Sequence, residues 1–389
     1  MRKIILLLIT IMVINSFITV NTSAESESST PDLVSEAAIV LELNSGQVLY
    51  EKNAQKKMYP ASLTKIATAI YAIKKGNLND VVTVSSNARN VDGTRVYLEE
   101  GEQVTLSKLI HGLLINSGND AGVAIAEHLS GSVEQFAKDL NVFLKKAVNL
   151  KNTNFVNPHG LFDENHVTTA EDLAKITQYA MKNETFRSIF GAKEYEWDGE
   201  AWDTTLLTHH KILKGEFPFD GVTGGKTGYV YESGFTLATT AENEDLSLVV
   251  ITLNSATEEK SYTDTLKLLD YSFGNFQTSY IEEGTTFTVD KEKYINPGKL
   301  ITTAAINDQI HQKINEDGTL NLINQDGMIV ASYQLEKLNI GEINDSYQIK
   351  DLANSEVKLM AIDGKIIILI IVLLASVGIV YQLNRKYGV

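Results

Sequence analysis

Pro60-Ala61-Ser62-Leu63-Thr64-Lys65 opens a stretch that reads helical over residues 63–73 and sets a serine and a lysine three residues apart at the helix start. One helical turn separates them, so the two side chains share a face and the amine can take the hydroxyl proton. Such a lysine must be neutral to act as a base. Burial and a second nearby cation both lower a lysine pKa, and the positive helix N-terminus favours a developing alkoxide. Alone the pair says little, because Ser355-Glu356-Val357-Lys358 repeats the spacing.

Two later clusters give it meaning. Ser117-Gly118-Asn119 sits between apolar helical stretches at 106–114 and 121–129, where a hydroxyl and an amide can relay protons and hold a substrate amide. Lys226-Thr227-Gly228 follows Gly224-Gly225 and precedes strand-like sequence. On a strand edge the lysine and threonine can bind a carboxylate, while the glycine lets substrate approach the backbone. Each has a bland reading too: Ser85-Ser86-Asn87 repeats the second pattern, and the third suits an exposed hairpin. The discriminating feature is the ordered triple inside one domain.

Outward from these clusters, 37–43 and 47–51 read as strands around Asn44-Ser45-Gly46, a turn rich in residues that tolerate positive φ. Apolar residues recur at three and four over 133–148 and 170–181, giving more helix, and 234–240 and 246–253 read as two strands before a helix with Tyr262, Leu266, Leu269 and Phe273 on one stripe. Strands at both ends with helices between predict one sheet closed by distant segments, an α/β domain over 32–276. Beyond it, short alternating runs separated by Asn-Pro-Gly, Glu-Asp-Gly and Gln-Asp-Gly turns predict a small all-β domain over 277–360.

The ends differ from the middle. Arg2 and Lys3 precede an apolar run over 4–20, and Thr22-Ser23-Ala24 offers small residues for a signal peptidase, so 1–24 read as a signal peptide, with an uncleaved anchor as the alternative. Residues 366–383 carry no charge and span about 27 Å as a helix, near the ~30 Å hydrocarbon thickness. They read as a transmembrane helix rather than a core helix, which would keep a polar face. Lys365 precedes the span, and Arg385 and Lys386 place a cytoplasmic tail at 384–389, with everything between the two segments outside.

With 389 residues, 43% hydrophobic and 21% charged, the chain has ordinary globular composition and room for two or three domains. It has no cysteine, which removes disulfides, thiolate metal sites and thiol nucleophiles. Its net charge of -15 argues against sequence-independent binding to nucleic acid.

An ordered triple of this kind, with S-D-N as its middle element, is shared by penicillin-binding proteins and class A β-lactamases. Around it stand Ser45 to Tyr50, Pro60 to Lys65, Leu98 to Gly101, Ser117 to Ala121, Asn157-Pro158-His159-Gly160-Leu161, Thr169 to Leu173 and Asp220 to Tyr229, all in family order. On these residues the chain resembles the low-molecular-mass penicillin-binding D-alanyl-D-alanine carboxypeptidases over roughly 36–255. The resemblance implies a β-lactamase/transpeptidase-like α/β (α+β) catalytic domain with a helical subdomain. It implies an enzyme that needs no cofactor or metal, takes peptidoglycan stem peptides, and is inhibited covalently by β-lactams. Ser62 would be the acylated nucleophile and Lys65 its base; Ser117 and Asn119 would assist proton transfer and orient the peptide. Lys226 and Thr227 would hold the terminal carboxylate beside Gly228, and the N–H groups of Ser62 and Tyr229 would form the oxyanion hole.

Three features depart from the family pattern. Asp220 to Gly225 is longer than the usual short approach to Lys226, His209-His210-Lys211 lies where many relatives carry asparagines, and the C-terminus reads as a true span where several relatives have an amphipathic surface helix. Among alternatives, a β-lactamase needs a carboxylate for deacylation, and Glu171-Asp172-Leu173-Ala174-Lys175 does not supply the E-x-x-L-N segment. A zinc peptidase built on His159, His166 and Glu171 lacks H-E-x-x-H, and a Ser-His-Asp hydrolase lacks G-x-S-x-G. A non-catalytic cell-wall-binding protein on the same fold would have lost Ser62, Lys65 or Lys226, and all three are present.

Overall fold

A computed structural model describes residues 30–289 and 292–338. The signal peptide, the transmembrane helix, the cytoplasmic tail and the end of the β-rich domain expected from the sequence lie outside those residues. Among the described residues no helix is long and apolar enough to cross a membrane.

One five-stranded antiparallel sheet organises the α/β region. Its strands are β1 (Ala37–Glu42), β2 (Val48–Lys52), β3 (Val222–Val230), β4 (Gly234–Glu242) and β5 (Ser247–Ser255), in the spatial order β2-β1-β5-β4-β3. The first strand therefore pairs with the last, Ala37 opposite Leu253 and Leu41 opposite Val249. β1 is buried along its whole length because both its faces are covered, which is why it reads as an apolar run from Ala37 to Leu41 rather than an alternating one. Ala37, Ile39 and Leu41 face the helices, whereas Ala38 and Val40 join Leu268 and Leu269 of the long helix Glu258–Asn275 on the other face.

The helical layer is built around α1 (Thr64–Lys75), whose first nine residues are all buried. It packs against α2 (Leu106–Ile115), α3 (Asn119–Ser130), α4 (Val133–Val148) and α5 (Ala170–Met181), and these helices match the apolar periodicities read from the sequence. Side-chain caps start several of them: Thr105 on α2, Ser132 on α4 and Thr169 on α5. Thr257 likewise caps α6 (Glu258–Asn275). Shorter pieces lacked a clear period and escaped the sequence reading, among them the hairpin of Glu194–Asp198 with Asp203–Leu207 and the helix Glu184–Phe190.

The β-rich region begins at Phe276, where α6 ends, and Phe276–Ile281 pairs with Leu300–Ala305. Two three-stranded sheets follow around Tyr294, Leu300, Leu320, Leu322 and Leu335. It joins the α/β region through Ser45 Oγ and Thr303 Oγ1, 2.8 Å apart, and through the Thr278 N–H donating to the Asp245 carbonyl.

The chain before β1 is tied down by one buried acid. Asp264 of α6 accepts hydrogen bonds from Ser35 N at 2.6 Å and Ser35 Oγ at 2.7 Å, and it is 1% exposed. Removing this acceptor leaves two buried donors unpaired, which costs ~1–3 kcal/mol for each such group. The Asp264→Ala variant is accordingly expected to lose ~2 kcal/mol or more of unfolding free energy by denaturant titration. An unchanged midpoint would show that water replaces the carboxylate.

Candidate active site

The serine of the first cluster lies in a short 3₁₀ turn, Ala61–Leu63, that runs directly into α1. Ala61 holds a left-handed φ of 48°, an unusual conformation for a side-chain-bearing residue, and Ser117 in the second cluster holds 62°. The turn is fixed from outside. Thr236 Oγ1 of β4 donates to the Pro60 carbonyl at 3.0 Å, and Thr64 Oγ1 bonds the Ala61 carbonyl and His166 Nε2, both at 2.8 Å.

Lys65 Nζ stands 2.7 Å from Ser62 Oγ and donates to the His159 carbonyl, also at 2.7 Å. Its side chain is fully buried. Desolvation first, and then the positive charge of Lys226, hold its pKa well below the ordinary 10.5, with Asp120 acting in the opposite direction. The amine is thereby disposed to be neutral and to receive a proton from Ser62.

On the facing wall, Lys226 Nζ of β3 bonds Ser117 Oγ at 3.0 Å and the Thr227 carbonyl at 2.9 Å. Burial pushes its pKa down to about 7. β3 is the outer strand of the sheet, so half of its N–H groups point away from β4, toward the α1 side. Its approach to Ser62 depends on Gly228: a β-carbon there would lie 2.8 Å from Ser62 N and 2.4 Å from Thr236 Oγ1. Gly160, at φ 90°, makes the same allowance from the other side, where a β-carbon would fall 1.9 Å from the Ala61 carbonyl oxygen.

The structure brings together six of the eight residues singled out in the sequence around one cavity of about 350 Å³, lined by Ser62, Ser117, Thr227, Gly228 and Tyr229, with Lys226 behind Ser117. Lys65 stands behind Ser62. Asn119 starts α3, and its amide donates to the Asp92 carbonyl at 2.7 Å, holding the loop that carries Thr94 on the cavity rim.

Other residues support the site in ways that were not read from the sequence. Asp120 is fully buried and accepts from Val96, Leu98 and Ala121 N–H groups, while desolvation raises its pKa. It fastens the 92–98 loop to α3. The signal was an acid heading an otherwise apolar helix. His210 lies beneath β3: its Nε2 bonds Thr239 Oγ1 at 2.8 Å, and a β-carbon on Gly225 would meet its ring at 2.2 Å. The long approach to Lys226 is resolved by an irregularity in strand pairing between Val222 and Gly224, which absorbs the extra residue. His159 and His166 use ring nitrogens on the Leu161 and Val156 N–H groups, so both serve the packing behind Ser62.

Comparison with known proteins identifies a family and structures of similar fold. A family model described as D-alanyl-D-alanine carboxypeptidase matches residues 23–257. The chain is 34% identical over 260 residues to D-alanyl-D-alanine carboxypeptidase DacF of Bacillus subtilis, covering 64% of this chain and 65% of that one. It is 34% identical over 271 residues to DacA of Haemophilus influenzae, covering 64% of each. The match thus spans slightly less than two thirds of these curated relatives. Among solved structures, penicillin binding protein 5 from Haemophilus influenzae superposes with a TM-score of 0.71 at 26% identity, covering 80% of this chain and 98% of that one. Penicillin binding protein 6B from Escherichia coli gives 0.67 at 25%, covering 79% and 96%.

The buried histidines make the site sensitive to acid. Desolvation lowers His159 from 6.5 to about 3, His166 to about 4 and His210 to about 3. Between these values and 6.5 the unfolded chain binds more protons than the folded one, so stability rises with pH and is lost as pH falls below 6.5. The denaturant midpoint should therefore drop from pH 7 to pH 4.5, and His166→Gln should flatten that slope. A midpoint constant over the interval would contradict the burial of these rings.

Proposed function

The chain belongs to the D-alanyl-D-alanine carboxypeptidase family, and on that footing we propose that it is a serine-type D,D-carboxypeptidase that removes the terminal D-alanine from peptidoglycan stem peptides. The observation that carries the reading is the buried Lys65 amine 2.7 Å from Ser62 Oγ, faced by a second lysine bonded to Ser117. A serine hydroxyl is a weak nucleophile until a neutral base takes its proton, and this pair supplies one.

In the proposed reaction Lys226 and Thr227 hold the substrate's terminal carboxylate. Ser62 Oγ attacks the carbonyl carbon of the penultimate residue while its proton passes to Lys65. The oxyanion is stabilised by the N–H groups of Ser62 and Tyr229. When the C–N bond breaks, the leaving amine takes a proton through Ser117, which Lys226 orients, and D-alanine departs. Water then attacks the ester, Lys65 receives the water proton, and the serine is restored. Asn119 keeps the peptide in register from its side of the cleft. A β-lactam, which carries a strained amide and a carboxylate, would acylate the same serine.

We further propose a cell-membrane protein with its catalytic domain on the extracytoplasmic side, a cleaved signal over 1–24 and a single anchor at 366–383. The apolar runs of the sequence and the basic residues beside them support this topology. A serine β-lactamase is the second reading, disfavoured because no E-x-x-L-N segment stands between the second and third clusters.

Labelled penicillin should add to Ser62, located by intact mass and tryptic mapping, and an adduct at Ser355 would refute the assignment. Lys65→Arg should slow acylation by at least ~10²-fold, since arginine stays protonated. In the wild type, acylation should rise with pH as Lys65 loses its proton and level off well below the ordinary lysine value of 10.5. A chain ending at Gly364, exported with its signal, should be released from the membrane fraction that retains the full chain. Its continued membrane association would rule out the single-anchor topology.

A further inference from the structure

The cavity beside Ser62 continues past the residues that acyl transfer uses. Its remaining wall includes His209, Glu258, Ser261 and Tyr262, none of which has a part in the chemistry proposed above. Sheet topology brings them there. Thr227 pairs with Leu237 and Tyr229 with Phe235, Phe235 pairs in turn with Ser255, and α6 begins three residues later at Glu258. Across the opening, the Tyr262 hydroxyl donates to the His209 carbonyl at 3.3 Å and accepts from Lys211 N at 3.0 Å, which ties the His209 loop to α6.

We propose that this pouch is a subsite for the side chain of the departing C-terminal residue, and that Glu258 makes it select a long side chain ending in an amine. The proposal rests on the carboxypeptidase reading. With the terminal carboxylate at Lys226 and Thr227, the α-carbon of that residue lies beside Thr227, and its side chain has the pouch to enter. A methyl group leaves most of this space to water. A longer chain can lay its methylenes on Phe235 and Leu237, which line the same cavity.

Charge decides which long chain is favoured. Glu258 is the one carboxylate among the lining residues, and none of them is a lysine or an arginine. Desolvation and the charge of Lys226 lower the His209 pKa, so this ring adds no positive charge near neutral pH. Glu258 does pair with Lys211, at 2.7 Å, but both side chains are partly exposed, at 33% for Lys211 and 42% for Glu258, and Lys211 is not among the lining residues. A pair of that kind is weak and leaves the carboxylate able to accept from a second cation. The bond cut is the same: the peptide C–N bond breaks, the leaving amine carries off its proton, and the acyl group on Ser62 goes to water.

The test uses the full chain and three peptides identical except for the last residue, D-alanine, D-lysine or D-glutamate. The wild type should turn over the D-lysine peptide with a kcat/KM well above that of the D-glutamate peptide. Glu258→Gln should lower kcat/KM for the D-lysine peptide by about tenfold, mainly through KM, as expected for loss of one charged hydrogen bond. Its D-alanine turnover should stay within about twofold of wild type. Glu258→Lys should reverse the order of D-lysine and D-glutamate. An unchanged ratio of D-lysine to D-alanine in Glu258→Gln overturns the subsite, as does a wild-type ratio of D-lysine to D-glutamate at or below one, which needs no variant to fold. If the wild type cleaves none of the three, the carboxypeptidase reading falls instead.

Discussion

Two lysines taken out of water on opposite sides of one cleft constrain everything around them. Each buried ammonium would be costly, and the second raises the cost of the first, so the protein must hold at least one of them neutral or supply compensating partners. It does some of both. The His159 and Thr227 carbonyls accept from the two amines, Ser62 and Ser117 receive one each, and the buried Asp120 carboxylate offsets part of the charge at Lys65. Such an arrangement tolerates little slack, because an amine displaced by an ångström loses both its acceptor and its hydroxyl.

The glycines follow from that constraint. For Ser62 to sit against β3 and against the 157–161 loop at once, three backbones must approach within distances that a β-carbon would block, at Gly160, Gly228 and, one layer deeper, Gly225 over His210. The histidines serve the same end from the other direction. His166 braces the 3₁₀ turn through Thr64, and His210 supports the strand that carries Lys226 through Thr239. Titratable rings in these places are kept uncharged, so they act as shaped polar packing rather than as acids or bases.

What could be read from the chain beforehand divides along physical lines. Helices with long apolar stripes were legible to within a residue or two at 133–148 and 170–181, because burial of one face imposes a period that local sequence must carry. The pairing of the first strand with the last could be inferred from the order of the elements. The three chemical clusters were legible because their order is informative even when each spacing is common. The roles of Asp120, Gly160 and His210 were not, since an acid capping a loop across a helix, or a glycine opposite a foreign carbonyl, depends on contacts between distant residues. The Glu194–Asp198 hairpin was missed for another reason: Glu194 and Asp198 face solvent on a strand with only Trp197 buried, so no apolar alternation marks it.

The place of β1 in the middle of the sheet has a consequence for how the molecule is made. β1 is among the first parts of the α/β region to be synthesised, yet one of its two partners, β5, lies more than two hundred positions further along, Ala37 opposite Leu253. At translation rates of roughly 5–20 residues per second the nascent strand waits on the order of ten to forty seconds for that partner. During that interval an apolar segment with unpaired edges is exposed, protected on one side at most by the β2 hairpin. Contacts so distant in sequence make folding slow and leave the nascent chain open to mispairing. A holdase that shields the first fifty residues would thus raise the yield of folded protein without touching the finished molecule.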